Sequence, residues 1–237
     1  WSKGTALALS IVTSALGAAG ELAIRSLIER APLASSLADA FKSAGYRLAL
    51  VGGSVRDAIL GRLGNDLDFT TDAHPEVSRK ILNAWAENVW DTGIAFGTVA
   101  GRRGDTTVEV TTYRTESYDI DSRKPDVEYG DSIDGDLSRR DFTVNAMALE
   151  LTQGTPLFID PFNGLSDLGR KILRTPVSAE SSFSDDPLRM LRAVRFASQL
   201  NFTVADDVLA AIKDMSGRIS IISAERVRDE FIKLLMS

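Results

Sequence analysis

The hydrophobic periodicity changes once along this 237-residue chain, and that change most constrains the fold. Up to about residue 172, short apolar runs typical of strands alternate with helical segments. From residue 185 onward, apolar residues recur only at helical spacing. We therefore predict a mixed α/β domain over residues 48–172 and an all-helical domain over residues 173–237, preceded by an N-terminal leader with helices over residues 1–47.

The individual elements follow from the same patterns and from turn residues between them. Strands are predicted over residues 46–51, 67–70, 96–100 and 107–113, with further elements of this domain over 142–149 and 157–161. Helices are predicted within 21–43 and over 54–60, 75–87, 187–200, 205–215 and 224–235. Residues 116–137 are crowded with Asp, Ser, Gly and Pro and are predicted to form a long mobile loop.

Composition excludes several kinds of chemistry. The chain has no cysteine and a single histidine, His74, so disulfides, a thiolate nucleophile and a Cys/His zinc site are excluded. His74 lies in a turn-like stretch, which argues against a Ser-His-Asp triad. Catalysis would then depend on carboxylates, hydroxyls, Lys, Arg and backbone amides, and carboxylates favour hard cations such as Mg²⁺.

Charge and hydropathy describe an ordinary globular protein. Lys and Arg number 27 against 33 Asp and Glu, so the net charge of −6 does not indicate general nucleic-acid binding. The apolar part of residues 1–20 is too short and too interrupted to span a bilayer. We expect a cytoplasmic protein without a membrane segment, and the sequence indicates no oligomeric state.

Two glycines, Gly52 and Gly53, separate a predicted strand from a predicted helix. Backbone N–H groups without a hydrogen-bond partner at a helix start favour binding of an anion such as phosphate, and the Arg56 guanidinium can donate two hydrogen bonds to the same anion. The alternative is structural, because Ser54 and Asp57 have the spacing of a capping box. The sequence leaves both interpretations open.

Asp66 and Asp68 stand two residues apart at the start of a predicted strand, so their carboxylates share a face. Like charges on one face repel unless a cation lies between them, as in a two-metal phosphoryl-transfer site. The alternative is a solvated strand edge. Glu109 becomes a third carboxylate if its strand is the neighbour of this one, and is otherwise an exposed strand residue.

The segment Arg139, Arg140 and Asp141 follows the acidic loop and begins a new element. It is either a local ion pair or a phosphate clamp.

The helix predicted over residues 187–200 carries Arg189, Arg192 and Arg195 at intervals of three, which fans them across one side. Asp186 lies close enough to Arg189 to pair with it. A carboxylate and a guanidinium side by side offer the acceptor and donor that reading the Watson–Crick edge of a base requires. The alternative is that Asp186 caps the helix and the arginines are solvated.

In their order along residues 48–233, these motifs resemble those of class II tRNA nucleotidyltransferases, the bacterial CCA-adding enzymes, whose close relatives include bacterial poly(A) polymerases. The resemblance is carried by VGGSVRDAILG at 51–61, DLD at 66–68, RRDFTVNA at 139–146, DPFNG at 160–164, DPLRMLRAVRF at 186–196 and ERVR at 225–228.

The resemblance implies a polymerase-β-like nucleotidyltransferase head followed by a helical neck. It implies that Asp66 and Asp68 hold two Mg²⁺ ions, with Glu109 as a third acidic position, and that Asp186 with Arg189 templates the base of the incoming CTP or ATP. The nucleotide-binding positions that it implies are Gly53, Arg56, Arg140, Asp186, Arg189, Arg192 and Arg195.

The implied activity is addition of CCA to tRNA 3′ ends without a nucleic-acid template, releasing pyrophosphate. A poly(A) polymerase, a CC-only or A-only enzyme, and a non-catalytic nucleotide- or RNA-binding module are the alternatives. The resemblance further implies that residues 116–137 match a flexible element of the family. It also implies that the chain ends within the neck, with the tRNA-holding body and tail beyond Ser237.

Overall fold

The computed structural model describes residues 32–93, 97–117, 126–129 and 132–236. They form two compact units. The sheet unit comprises the described residues up to Leu137 together with Met147–Ile159, and the helical unit comprises Ser138–Ala146 together with the described residues from Asp160 onward. The predicted domain boundaries stay a prediction.

The sheet unit consists of short strands and four helices in its described part. The strands are β1 (Ala49–Val51), β2 (Asp66–Thr71), β3 (Asn88–Gly93), β4 (Thr98–Arg103), β5 (Thr106–Thr112), β6 (Arg114–Ser117), β7 (Asp126–Tyr129), β8 (Ala148–Glu150) and β9 (Leu157–Ile159). The helices are α1 (Pro32–Ser43), α2 (Gly53–Ile59), α3 (Pro75–Trp85) and α4 (Ile133–Ser138), the last of which ends at the unit boundary.

Seven of these strands form one mixed sheet in the order β3-β4-β5-β2-β1-β8-β9. Strands β2 and β5 are parallel, whereas the other neighbouring strands pair antiparallel. Burial alternates along β2, where Leu67 and Phe69 are buried and the residues before each of them are exposed. One face of β2 therefore belongs to the core and the other carries polar side chains.

The helical unit is built mainly from three longer helices. Its elements are a 3₁₀ turn (Thr143–Asn145), α5 (Gly164–Arg170), β10 (Ile172–Leu173), α6 (Ala179–Asp185), α7 (Leu188–Leu200), β11 (Thr203–Val204), α8 (Asp206–Met215), a second 3₁₀ turn (Ser216–Ile221) and α9 (Ala224–Leu235). Its core joins α6, α7 and α8 through Phe183, Met190 and Val208. The amphipathic spacing of α7, α8 and α9 explains why these three helices were predicted within a few residues, whereas α6 was not predicted.

One prediction in the sheet unit was wrong, and one strand was missed. The predicted mobile loop over 116–137 contains a two-stranded ribbon, β6 with β7, and helix α4, whose Leu137 is fully buried. Strand β3 was not predicted, because its sequence shows no alternation and the strand is defined by pairing with β4.

Several predictions concern residues outside the described part of the chain. These are the leader over 1–20, the helical segment over 21–31, and parts of the loop, at 118–125 and 130–131. Within the described ranges, no helix is long and apolar enough to cross a membrane. The cytoplasmic location stays a prediction.

Candidate functional site

The three acidic residues singled out in the sequence lie on neighbouring strands of the sheet unit. Strands β2 and β5 run parallel, and Asp68 pairs with Glu109 in their register. Asp66 and Asp68 are exposed, and Glu109 is half-buried. The condition that the sequence left open, adjacency of the two strands, is therefore met.

The electrostatics of Glu109 show that these carboxylates affect one another. Partial burial raises the pKa of Glu109, and the negative charges of Asp68 and Asp66 raise it further. Among the described residues, no three Asp, Glu or His side chains are arranged as a complete metal site. The three carboxylates together form a negatively charged cluster. A cation bound to them would need further oxygen ligands from water or substrate.

Gly52 lies directly before α2, and Gly53 is the first residue of that helix. Gly52 has φ 67° and ψ −136°, a backbone conformation that favours glycine. The capping-box interpretation is wrong, because Ser54 lies inside the helix and its Oγ accepts the backbone N–H of Asp68 at 3.0 Å. This bond attaches α2 to the strand that carries the aspartates.

Arg56 is buried and lies within α2. Its Nη2 lies 2.9 Å from Asp57 Oδ2, and its Nε donates to Asp57 Oδ1 at 3.0 Å. A Cβ added at Gly53 would lie 3.4 Å from Arg56 Nη2, so the guanidinium also lies close to the turn. The helix therefore presents the turn amides and one guanidinium together.

In the helical unit, Asp186 lies directly before α7 and uses both carboxylate oxygens. Oδ1 accepts the backbone N–H of Leu188 at 3.1 Å, and Oδ2 accepts from Arg226 Nη2 at 2.8 Å. The capping interpretation is therefore correct for one oxygen. The predicted pairing with Arg189 is wrong, because Arg226 of α9 is the ion partner of Asp186.

The side chain of Arg189 points to α6 and to the segment before the 3₁₀ turn. Its Nη1 donates to the carbonyl oxygen and Oγ of Ser182, at 3.3 and 2.8 Å, and its Nη2 donates to the carbonyl oxygen of Arg139. Arg140, the next residue, is half-buried. The Arg189 guanidinium is thus held by neutral oxygens. Its residue lies three positions after Asp186 in the sequence.

Asp141 is a buried acceptor with four hydrogen bonds. Its Oδ2 accepts from Nε and Nη2 of Arg192 at 2.9 and 2.6 Å, and its Oδ1 accepts from Asn145 Nδ2 and the Phe142 N–H. Burial alone would raise the pKa of Asp141, but the Arg192 charge and these bonds hold it below its usual range. The interpretation of residues 139–141 as a local ion pair is therefore wrong, since the partner of Asp141 lies on α7.

Arg195 lies on α7 about one helical turn after Arg192, and it is buried. It donates to Glu230 of α9 and to Gln199, and its guanidinium carbon lies 4.0 Å from the centroid of the Phe196 ring. Glu230 is also buried and lies 3.9 Å from Arg192 Nη1. The alternative of solvated arginines is therefore wrong for Arg195, whose contacts join α7 to α9.

Four side chains contact the predicted site residues but had no role assigned from the sequence: Ser182, Gln199, Arg226 and Glu230. Arg226 belongs to a motif, ERVR, that supports the resemblance, and this is the one signal that could have indicated it. Serines carry no such signal, because their role depends on which donor or acceptor lies opposite.

Comparison with known proteins identifies the family. Residues 48–174 match the model described as the poly A polymerase head domain, and residues 201–237 match one described as a probable RNA and SrmB-binding site of polymerase A. The chain belongs to the poly A polymerase head-domain family. This membership agrees with the predicted resemblance.

Curated relatives include the CCA-adding enzymes of several bacteria, of which two illustrate the similarity. That of Lactobacillus helveticus is 44% identical over 208 residues, covering 87% of this chain and 49% of the relative. That of Leuconostoc mesenteroides is 41% identical over 210 residues, covering 88% and 50%. The chain therefore spans about half the length of these relatives.

Solved structures show the same similarity. The Bacillus stearothermophilus CCA-adding enzyme in complex with CTP is 39% identical, with a TM-score of 0.74, over 85% of this chain and 47% of that one. A CCA-adding enzyme in complex with ATP is 27% identical, with a TM-score of 0.75, over 90% and 49%. The predicted fold class, a polymerase-β-like head followed by a helical part, is confirmed.

The buried Asp141–Arg192 pair generates a stability prediction. Asp141→Ala should lower the free energy of unfolding by about 3 kcal/mol, because it removes the buried carboxylate that Arg192, Asn145 and the Phe142 N–H all bind, and Glu230, the other anion near Arg192, is already bound by Arg195. Asp229→Ala is the matched control, since its ion pair with Arg228 is exposed, and should cost less than about 0.5 kcal/mol. Urea unfolding monitored by circular dichroism measures both.

The pH dependence of the free energy of unfolding tests whether the charge of the Asp141 carboxylate causes the loss of stability. Because folding lowers the pKa of Asp141, its contribution should be present at neutral pH and decline as the pH falls through that lowered pKa. Asp141→Asn should lack this acid-dependent contribution. Equal losses in Asp141→Ala and Asp229→Ala would contradict the assignment.

Proposed function

We propose that the chain forms the head and neck of an RNA nucleotidyltransferase that adds CCA to tRNA 3′ ends from CTP and ATP. The observation that carries this proposal is the Asp66–Asp68 pair beside Glu109 on parallel strands. Two exposed carboxylates on one face, with a third whose pKa they raise, form the acidic cluster that phosphoryl transfer uses. The similarity to CCA-adding enzymes supports the choice of reaction.

The residues present fit a divalent cation. Asp66 and Asp68 would hold two Mg²⁺ ions, because Mg²⁺ is typically bound by one or two carboxylates, with water and substrate phosphates as its other ligands. When bound, these ions favour the deprotonated form of the attacking hydroxyl and neutralise charge on the leaving pyrophosphate. Glu109 would add to the negative potential that retains them.

The reaction itself is an in-line displacement. The 3′-hydroxyl oxygen of tRNA attacks the α-phosphorus of the nucleotide and its proton passes to water, while the bond from that phosphorus to the bridging oxygen breaks and pyrophosphate leaves. We propose that Gly53, Arg56 and Arg140 bind the triphosphate, through turn amides and guanidinium groups. A histidine base is not required.

The proposed selection of the nucleotide base depends on one hydrogen-bond acceptor and one hydrogen-bond donor of the protein. Cytosine and adenine each present an amino group next to an unprotonated ring nitrogen, whereas uracil and guanine present a carbonyl next to a ring N–H. A carboxylate accepts from the amino group and a guanidinium donates to the ring nitrogen. Asp186 and Arg189 would therefore select C and A together and reject U and G.

The roles of Arg192 and Arg195 are a further part of the proposal. Both would contribute to nucleotide binding, and their contacts with Asp141 and Glu230 indicate how: they fix α7, which carries Arg189. Neither is a solvated surface residue. Their expected influence on binding is therefore through the position of this helix.

A tRNA lacking its CCA end distinguishes this function from its alternatives. With this substrate and each nucleoside triphosphate separately, the protein should add C from CTP and then a single A from ATP, and should use UTP and GTP poorly. Long A tails on any RNA would indicate a poly(A) polymerase, and addition of only C or only A would indicate a divided activity.

Removal of one acidic residue tests whether the protein is catalytic. Asp68→Ala should lower nucleotide incorporation at least about 10³-fold while leaving thermal unfolding nearly unchanged, because it removes a proposed metal ligand from an exposed strand position. Asp91→Ala is the control, an aspartate of strand β3 with an ion pair to Arg79. Undiminished turnover in Asp68→Ala would refute the metal assignment.

Loss of the Arg189 guanidinium tests base selection. Arg189→Ala should reduce the preference for CTP over UTP, and for ATP over GTP, by about tenfold or more, and should weaken triphosphate binding less. Arg228→Ala, which removes an exposed arginine of α9, should change neither. Equal loss of affinity for all four nucleotides, with selectivity kept, would overturn the role of Arg189.

A further inference from the structure

Two of the three hydrogen bonds that hold the Arg189 guanidinium are with one buried serine. Both contacts of Nη1 are with Ser182, one with the carbonyl oxygen and one with Oγ, and the latter is the shorter at 2.8 Å. The contact of Nη2 with the Arg139 carbonyl oxygen completes a three-point attachment. A planar group attached at three points has a fixed plane and a fixed set of remaining donors.

Ser182 is itself held rigidly. Its side chain has no exposed surface, and it lies in the middle of α6. The next residue, Phe183, packs in the core of the helical unit together with Met190 of α7. Ser178 caps the start of α6 by accepting the Ser181 N–H at 3.1 Å. The acceptor for Arg189 is thus part of a packed helix.

The attachment limits which donors a ligand can meet. A guanidinium has five N–H donors, and three contacts with protein oxygens leave Nε and one hydrogen of Nη2. Within the described residues, Nε has no hydrogen-bond acceptor. A donor edge fixed in this way can meet a ring nitrogen at one place, whereas a freely rotating guanidinium can also donate to the carbonyl oxygens of uracil or guanine.

We propose that Ser182 is a positioning residue for base selection: it does not touch the nucleotide but fixes Arg189 so that cytosine and adenine are preferred over uracil and guanine. This inference rests on the proposed function. It adds a residue that the motifs shared with the family do not mark.

A purely structural role for Ser182 predicts a different result. Loss of a buried hydroxyl that only stabilises α6 would lower the stability of the protein and leave the ratio of nucleotide preferences unchanged. Loss of a positioning contact would change that ratio. The preference ratio therefore separates the two roles, whereas stability does not.

The test compares Ser182→Ala with Ser184→Ala, the same substitution two residues further along α6, where the side chain is exposed. The kcat/KM values for CTP, UTP, ATP and GTP are measured on tRNA lacking its CCA end, in the presence of Mg²⁺. In Ser182→Ala the CTP/UTP and ATP/GTP ratios should fall roughly tenfold, as expected for loss of a hydrogen bond to a charged group. In Ser184→Ala they should stay at the value of the unmodified protein.

Thermal unfolding of each variant and a second substitution complete the experiment. Ser182→Cys keeps the size of the side chain but offers a weaker acceptor, so it should fold and show an intermediate ratio. Unchanged ratios in the folded Ser182 variants would overturn the inference, whatever their stability.

Failure of the inference and failure of the proposed function are distinguishable. If Arg189→Ala loses selectivity while the Ser182 variants keep it, Arg189 selects the base without help from Ser182, and only the inference fails. If the unmodified protein does not discriminate among the four nucleotides, the proposed function fails.

Discussion

The pairing of β2 with β5 is the constraint on which the catalytic proposal depends. It brings Asp68 beside Glu109, with Asp66 at the start of the same strand, although like charges oppose this arrangement. Apolar burial on the other face offsets the repulsion: Leu67, Phe69, Val108 and Val110 are essentially inaccessible to solvent. Each such side chain contributes about 1.5–3 kcal/mol, against repulsion on the order of 1 kcal/mol per carboxylate pair in a water-like dielectric. The core therefore keeps the carboxylates together, and a bound cation would relieve their repulsion.

The helical unit uses three regularly spaced arginines for three different purposes. Arg189 is held by neutral oxygens and keeps donors available, Arg192 compensates the buried carboxylate of Asp141, and Arg195 joins α7 to α9 through Glu230. Carboxylates neutralise the last two, whereas the contacts of Arg189 with the described residues are with neutral oxygens. The net charge of −6 averages over these different surroundings and describes none of them.

The sequence predicts a structural element well when the pattern that defines it repeats over a few residues, and poorly when the element is defined by contacts with a distant part of the chain. The helices near 187–200, 205–215 and 224–235 were predicted because amphipathic spacing repeats within a few residues. The two strands that carry the carboxylates were predicted for the same reason. Strand β3 was missed and the 116–137 segment was mistaken for a loop, because their strands are defined by pairing with a neighbour.

The sequence by itself determined the kinds of chemistry available, the class of fold and the family motifs, since these depend on composition and local spacing. Only the tertiary structure decided the partners: Asp186 with Arg226, Asp141 with Arg192, and Ser182 with Arg189. The first two pairs join residues 40 and 51 positions apart, and each links a connecting segment to a helix. Spacing along one helix cannot reveal such pairs, because which side chains meet is set by how helices and connecting segments pack. The same packing that buries the apolar faces therefore determines which acceptor each arginine finds.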